Sequence, residues 1–248
     1  MKKWRPEKRF YRELLKRPGF RSFEVVAGES DLWVSVPREL FFEELPDLLL
    51  DTLISLRTQI LQFGKEHPEF LTSLRPVEVP VISPAIVKKM AESAKAVGVG
   101  PMAGVAGAVN YFLGEKLKEL GIEEFMIENG GDVYVSSERE VTLAVVTGSP
   151  KVDGKLGLSV PRGEWGVCSS SSKIGHSLSF GETTIATVIC KDPVVSDCTA
   201  TFLANSRTTE EFIGRAESLK GIYGVLGLLK GRFVIWGNVN LVRIAWSS

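Results

Sequence analysis

Between Ala96 and Gly114 the chain runs nineteen residues without a charge, nearly the length that crosses a bilayer as one helix. No other feature constrains the fold as much, because a membrane span and a buried helix need different surroundings. The stretch holds five glycines, Pro101 and Asn110, and little Leu, Ile or Phe. Small residues let backbones approach closely, so it reads as close packing inside a soluble protein, with no membrane span. Composition agrees: of 248 residues 44% are hydrophobic and 24% charged, a balance that builds a core and does not leave a disordered chain. The 30 Lys+Arg and 30 Asp+Glu cancel, which argues against a nucleic-acid partner.

Two local imbalances matter. The first 21 residues carry nine Lys/Arg and two Glu, a basic N-terminal arm (about 1–22) expected to be a solvated surface helix. The same segment lacks the apolar core of a signal peptide. Cys168, Cys190 and Cys198 show no CxxC spacing, so neither a disulfide framework nor a zinc knuckle is expected; a reducing compartment, the cytoplasm, fits them.

Periodicity organises the rest. Phe23 to Val36 reads as two strands around a turn at Gly28-Glu29-Ser30-Asp31. Leu49, Leu53, Leu56, Ile60 and Phe63 keep a three-four spacing from Pro46, predicting a helix that ends at Gly64. Ser83 as N-cap and Pro84 in the first turn predict a second helix to about Val97, and Met102 to Leu120 predicts a third. Strands are expected at Glu124–Glu128, Asp132–Ser136, Val141–Thr147, Gly157–Val160 and Thr183–Cys190. Helices follow from about Ser196 to Asn205 and from Thr208, whose first turn holds Glu210 and Glu211. Three short strands close the chain, around Tyr223, Phe233–Trp236 and Val239–Ile244. The sum is one α+β domain over residues 1–248, with helices clustered on a largely antiparallel sheet.

Four segments exceed what folding needs. Gly98-Val99-Gly100-Pro101-Met102-Ala103-Gly104 opens a helix, where free N–H groups attract phosphate, or it is only a tight turn before a close-packed helix face. Glu128-Asn129-Gly130-Gly131-Asp132 is a hairpin turn with more polar groups than a turn requires. Cys168-Ser169-Ser170-Ser171-Ser172 leads to His176 through a Gly- and Ser-rich loop whose hydroxyls and N–H groups suit an anion. No Ser-His-Asp order or nucleophile elbow accompanies it. Asp197 and Thr201 stand four apart on a helix face. They form a hard-oxygen pair for Mg²⁺, or else Ser196 and Asp197 cap the helix N-terminus.

In this order the four segments resemble the ApbE family of flavin transferases. That family pairs a Gly-Gly-Ile-Ala-Lys-Gly helix start with Asn-x-Gly-Gly-Asp, a Thr-Ser-Gly loop, a following His and Ala-Asp-Ala-x-Ala-Thr. The equivalents are Gly100 to Val105, Glu128 to Asp132, Ser169 to Ser172, His176 and Ser196 to Thr201, with Asp197, Ala200 and Thr201 in register. The resemblance implies a flavin nucleotide, FAD or FMN, bound with Mg²⁺, and FMN transfer to a threonine of an acceptor protein. It implies metal ligation by Asp197 and Thr201, and a nucleotide site lined by Gly100, Asn129, Gly130, Gly131, Asp132, Ser169, Ser170 and Ser171. His176 would lie beside the reacting phosphate as the catalytic residue. Two departures stand out. The family's helix-start Lys is Gly104, and the carboxylate expected just after the His is missing from Ser177-Leu178-Ser179-Phe180-Gly181. The pattern is nearer a divergent branch connected with sulfide assimilation, whose alternative role is a non-catalytic accessory protein that keeps the pocket.

Overall fold

A computed structural model of the chain describes Arg12 and residues 17–147, 152–171 and 183–244. Alternating β-branched and aromatic residues build the first hairpin, β1 (Phe20–Ala27) and β2 (Ser30–Pro37), which turns at Gly28-Glu29. The helix α1 (Leu45–Glu66) buries Leu49, Leu53, Leu56, Ile60 and Phe63 along one stripe, as expected. It passes Gly64 and stops at His67, because the ring of Pro68 disfavours helical backbone in the residue before it. Pro68 then starts the short α2 (Pro68–Thr72), whose Leu71 packs on the bare backbone of Gly64.

The second helix begins later than its cap signal suggests. In α3 (Ala85–Val97) the N-cap is Pro84, extended at ψ 148°, and the buried Ser83 hydroxyl has no partner, so no side chain caps this end. Gly98 closes α3 in the left-handed region at φ 88°, where a side chain would be strained. A 3₁₀ turn, Pro101–Gly104, leads into α4 (Val105–Glu119). The paths on either side of this break differ by 103°. The uncharged stretch is therefore split between two buried helices, and no single helix among the described residues is long and apolar enough to cross a membrane.

The strands follow as β3 (Phe125–Asn129), β4 (Asp132–Ser137), β5 (Val141–Ala144), β6 (Leu156–Val160), β7 (Gly163–Ser170) and β8 (Thr183–Cys190). After α5 (Pro193–Ala204) and α6 (Thr209–Glu217) come β9 (Ile222–Leu229), β10 (Arg232–Gly237) and β11 (Asn240–Arg243). Thr208 caps α6 as its sequence signal predicts, its hydroxyl accepting the Glu211 N–H at 3.1 Å. Eight strands form an antiparallel sheet in the order β1-β2-β3-β4-β7-β8-β9-β10, and β11-β6-β5 form a second sheet. This is the expected α+β architecture in three layers. Helices cover one face of the large sheet through two clusters, one around Leu49, Met90, Leu113 and Phe125, the other around Val188, Leu203 and Phe212. The small sheet covers the opposite face through Val135, Trp165, Leu143 and Leu158.

Strand alternation then assigns faces. Tyr134 and Cys168 lie on the helix side and Val133, Val135 and Val167 on the other. Asp132, Cys168 and Ser170 therefore share the helix-covered face of β4 and β7. Ser169 and Ser170, expected in a loop, belong to β7, where they pair with Thr187 and Ala186 of β8. A strand tolerates these hydroxyls because one finds a partner across the ladder: Ser169 Oγ lies 2.9 Å from Thr187 Oγ1.

Candidate functional site

The β3–β4 turn has only two loop residues, Gly130 and Gly131, between the paired Asn129 and Asp132. Both glycines have positive φ, 69° and 104°, the requirement of a turn that matches strand twist. The tight turn delivers Asp132 to the first position of β4. There its Oδ1 accepts the Ser169 N–H from β7 at 3.0 Å, while its carbonyl accepts from Asn110 Nδ2 of α4 at 2.9 Å.

The opposing wall comes from α5. This helix starts at Pro193, one turn before the expected Ser196, because Asp192 caps it by accepting the Val194 and Val195 N–H groups. Asp192 also pairs with Lys89 of α3. The capping reading of Ser196 and Asp197 is thereby corrected. Ser196 Oγ instead bonds the Gly166 and Val188 carbonyls of the sheet, at 3.2 and 2.8 Å. Asp197 reaches across to another helix. Its Oδ2 accepts the Gly107 N–H at 2.9 Å, in the first turn of α4, where the unpaired N–H groups and the helix dipole favour a negative charge. A Cβ on Gly107 would collide with the Pro193 carbonyl, so this glycine is what lets α5 come close enough.

Asp132 and Asp197 consequently share one site, and both are buried. Burial pushes the Asp197 carboxyl up to about 7, against the opposing pull of the Gly107 and Ala106 N–H groups. Burial also raises Asp132 well above the carboxylate range, and the Asp197 charge raises it further. Among the described residues no Lys, Arg or His forms an ion pair with either. Two groups beside them are polar and unsatisfied: Asn110 Oδ1 and Ser170 Oγ are buried without a hydrogen-bond partner. Thr201 stands one turn beyond Asp197 on α5, half-buried.

Other predicted site residues fall differently. Gly98 and Gly100 have structural reasons: Gly98 is the left-handed C-cap of α3, and a Cβ on Gly100 would run into the Ser73 carbonyl. The N–H of Gly107, in the first turn of α4 just beyond that segment, goes to Asp197. At Gly104 a Cβ would lie 2.7 Å from Cys198 Sγ and 3.0 Å from Val194 Cγ1, so that position has no room for a side chain, let alone a lysine. Of the serines, Ser171 Oγ donates to the Thr184 carbonyl at 2.6 Å. His176 and Ser172 lie outside the described residues. The three thiols are free and buried, and burial together with the nearby carboxylates pushes Cys168 and Cys198 up, keeping them protonated and unreactive. Asn110 was not singled out as a site residue. Its spacing from Gly107, one turn apart on α4 after a glycine-marked helix start, is the signal that points to it.

Among the described residues no group of three or more His, Cys, Asp or Glu closes around a metal. That excludes a cage built from such side chains there.

The family model described as AbpE bacteria matches residues 12–220. The chain belongs to that family. A UPF0280 protein of Methanocaldococcus jannaschii is 32% identical over 226 residues, covering 87% of this chain and 90% of the relative. That of Methanothrix thermoacetophila is 35% identical over 208 residues, covering 82% and 88%. Among solved structures, the Pseudomonas stutzeri flavinyl transferase ApbE in its apo form superposes with a TM-score of 0.61 at 14% identity, over 88% of this chain and 94% of that one. The ApbE protein of Thermotoga maritima gives 0.60 at 10% identity, over 89% and 96%. At such identities the likeness is one of fold. The family member described here is thus a divergent ApbE-like protein.

Proposed function

We propose that the site shared by Asp132 and Asp197 binds a flavin nucleotide, FAD or FMN, together with Mg²⁺. One observation carries this reading. Two buried carboxylates face each other with no cation paired to them among the described residues, an arrangement that becomes favourable once a divalent ion joins it. Asp197 and Thr201 would hold the ion, whose chemistry is to spread the charge of a pyrophosphate. The Gly107 N–H fixes the Asp197 carboxylate in place. The Ser169 N–H does the same for Asp132, which orients the Asn129–Asp132 turn toward the nucleotide. Ser170 Oγ and Asn110 Oδ1, both without a partner, are further groups for ligand or its water.

Whether FMN is passed to an acceptor protein depends on removing a proton from the acceptor hydroxyl. Ser179 cannot take it near neutral pH, which leaves His176 as the base in this chain. Losing a positioned general base slows such a step by about 10²–10⁴-fold. The reading is therefore an Mg²⁺-dependent flavin-nucleotide protein whose FMN transfer is slow or lost, with an accessory role as its alternative. That alternative draws support from Gly104, where no cation fits. The test incubates purified full chain with FAD, Mg²⁺ and an acceptor domain, and reads the FMN adduct by mass spectrometry. Bound FAD with little labelling, abolished by His176→Ala, is expected. Multiple-turnover labelling would restore the transferase reading, and absence of FAD binding would refute the nucleotide site.

A further inference from the structure

Behind the nucleotide turn lies a second group of buried charge. Glu128 is 1% exposed and, by strand alternation with Ile127, projects to the sheet face opposite the helices. Its Oε1 accepts the Gly131 N–H at 2.8 Å. In a two-residue hairpin that N–H has no place in the strand ladder, so the carboxylate holds a group that would otherwise be left to solvent. The second oxygen, Oε2, accepts from Arg12 Nε at 2.9 Å. The same guanidinium donates to Asp31 Oδ1 at 2.9 Å, to the Asp31 carbonyl at 2.8 Å and to Glu24 Oε1 at 3.1 Å. It also lies 5.9 Å from the Trp33 ring centroid. Arg12, expected on a solvated surface, is 6% exposed.

From this geometry we infer that Arg12 is a positioning residue for the nucleotide site, acting through Glu128 on the Gly131 N–H and so on the Asn129–Asp132 turn. The inference rests on the reading of that turn as part of the nucleotide site. The planar guanidinium, fixed by its bonds to Asp31 and Glu24, presents Nε to Glu128 and holds that carboxylate in one orientation. The carboxylate then fixes the peptide immediately before Asp132. Without Arg12, Glu128 is a buried charge missing a principal partner, and it turns toward water rather than toward Gly131. The side chain acts 116 residues away in sequence and from the face of the sheet that the ligand does not occupy.

The experiment compares full-length wild type, Arg12→Met, Arg12→Lys and the double variant Arg12→Met/Glu128→Gln. Hydrogen exchange of the Gly131 amide is read in the free protein by NMR, and FAD affinity in Mg²⁺ by calorimetry. For the loss of one charge-assisted hydrogen bond, Arg12→Met should speed Gly131 exchange about tenfold more than it speeds exchange at Val188 and Leu226 in the distant strands, which report only global opening. FAD should bind about tenfold more weakly. The double variant should recover much of both, because a neutral glutamine still accepts from Gly131 without needing a cation, and Arg12→Lys should fall between. Unchanged Gly131 exchange in Arg12→Met overturns the inference, as does faster exchange with undiminished FAD affinity. If wild type binds no FAD, the nucleotide reading fails by itself, and Gly131 exchange alone decides whether Arg12 holds the turn.

Discussion

Three residues separate Glu128 from Asp132, yet the two carboxylates live in opposite electrostatic worlds. Glu128 shares Arg12 with Asp31, and every distance in that cluster lies between 2.8 and 3.1 Å. Asp132 has Asp197 for a neighbour and the Ser169 N–H for support. Both groups pay the same desolvation, but only the first is compensated from within the described chain. Buried charge that is matched internally holds structure together; buried charge left unmatched marks where something else binds.

Opposite mutational signs follow from that contrast. Arg12→Met should lower unfolding stability by about 3–5 kcal/mol, the usual penalty for removing one partner of a buried pair. Asp197→Asn should leave the metal-free protein as stable or more stable at pH 7.5, since an amide still accepts the Gly107 N–H without the repulsion. Denaturant titration of both variants measures this, and equal destabilisation would erase the distinction. Next in size is Gly107→Ala, whose Cβ meets a backbone carbonyl of Pro193 that cannot yield. Overpacking of this kind costs about 2 kcal/mol, and it should also weaken Mg²⁺-dependent FAD binding by pushing Asp197 away from its donor.

A pH series sharpens the comparison. The Asp197 carboxyl at about 7 lies above its unfolded value near 4. The folded state therefore holds the proton more tightly, and stability falls as pH rises from about 4 through 7, with Asp132, raised as well, adding to the fall. Between pH 5 and 7.5 the metal-free protein should lose on the order of 2 kcal/mol. The carboxyls that are lowered, such as Glu124 and Glu164, act below this window. Asp197→Asn should flatten the curve, and a wild-type curve already flat would count against the shared burial of the pair. The smallest effect belongs to Gly131→Ala. At φ 104° with open space around it, it should cost about 1 kcal/mol of backbone strain, measured by thermal melting.

Locally coded features were readable in the sequence. The stripe of α1, the Thr208 cap and the Gly130-Gly131 turn all follow from residues within a few positions of each other. What failed was set by contacts distant in the chain. The serines after Cys168 looked like a loop because hydroxyls are common in loops, but Thr187 on the neighbouring strand gives Ser169 a partner. Asp197 looked like a cap of its own helix and instead serves the N-terminus of α4, ninety residues away. Arg12 looked solvated because its carboxylates are scattered from Glu24 to Glu128. The Asp132–Asp197 convergence follows from Gly/Ser/Asp-rich segments set in an otherwise apolar pattern and from the family resemblance; no periodicity announces it.

Anomalous diffraction from crystals of the full chain soaked with FAD and Mn²⁺, which stands in for Mg²⁺, tests the central claim most directly. The account predicts a peak about 2.1 Å from an Asp197 carboxylate oxygen, beside Asp132 and touching the nucleotide phosphates. A manganese ion bound elsewhere, or FAD bound at the site with no ion beside Asp197, would contradict it.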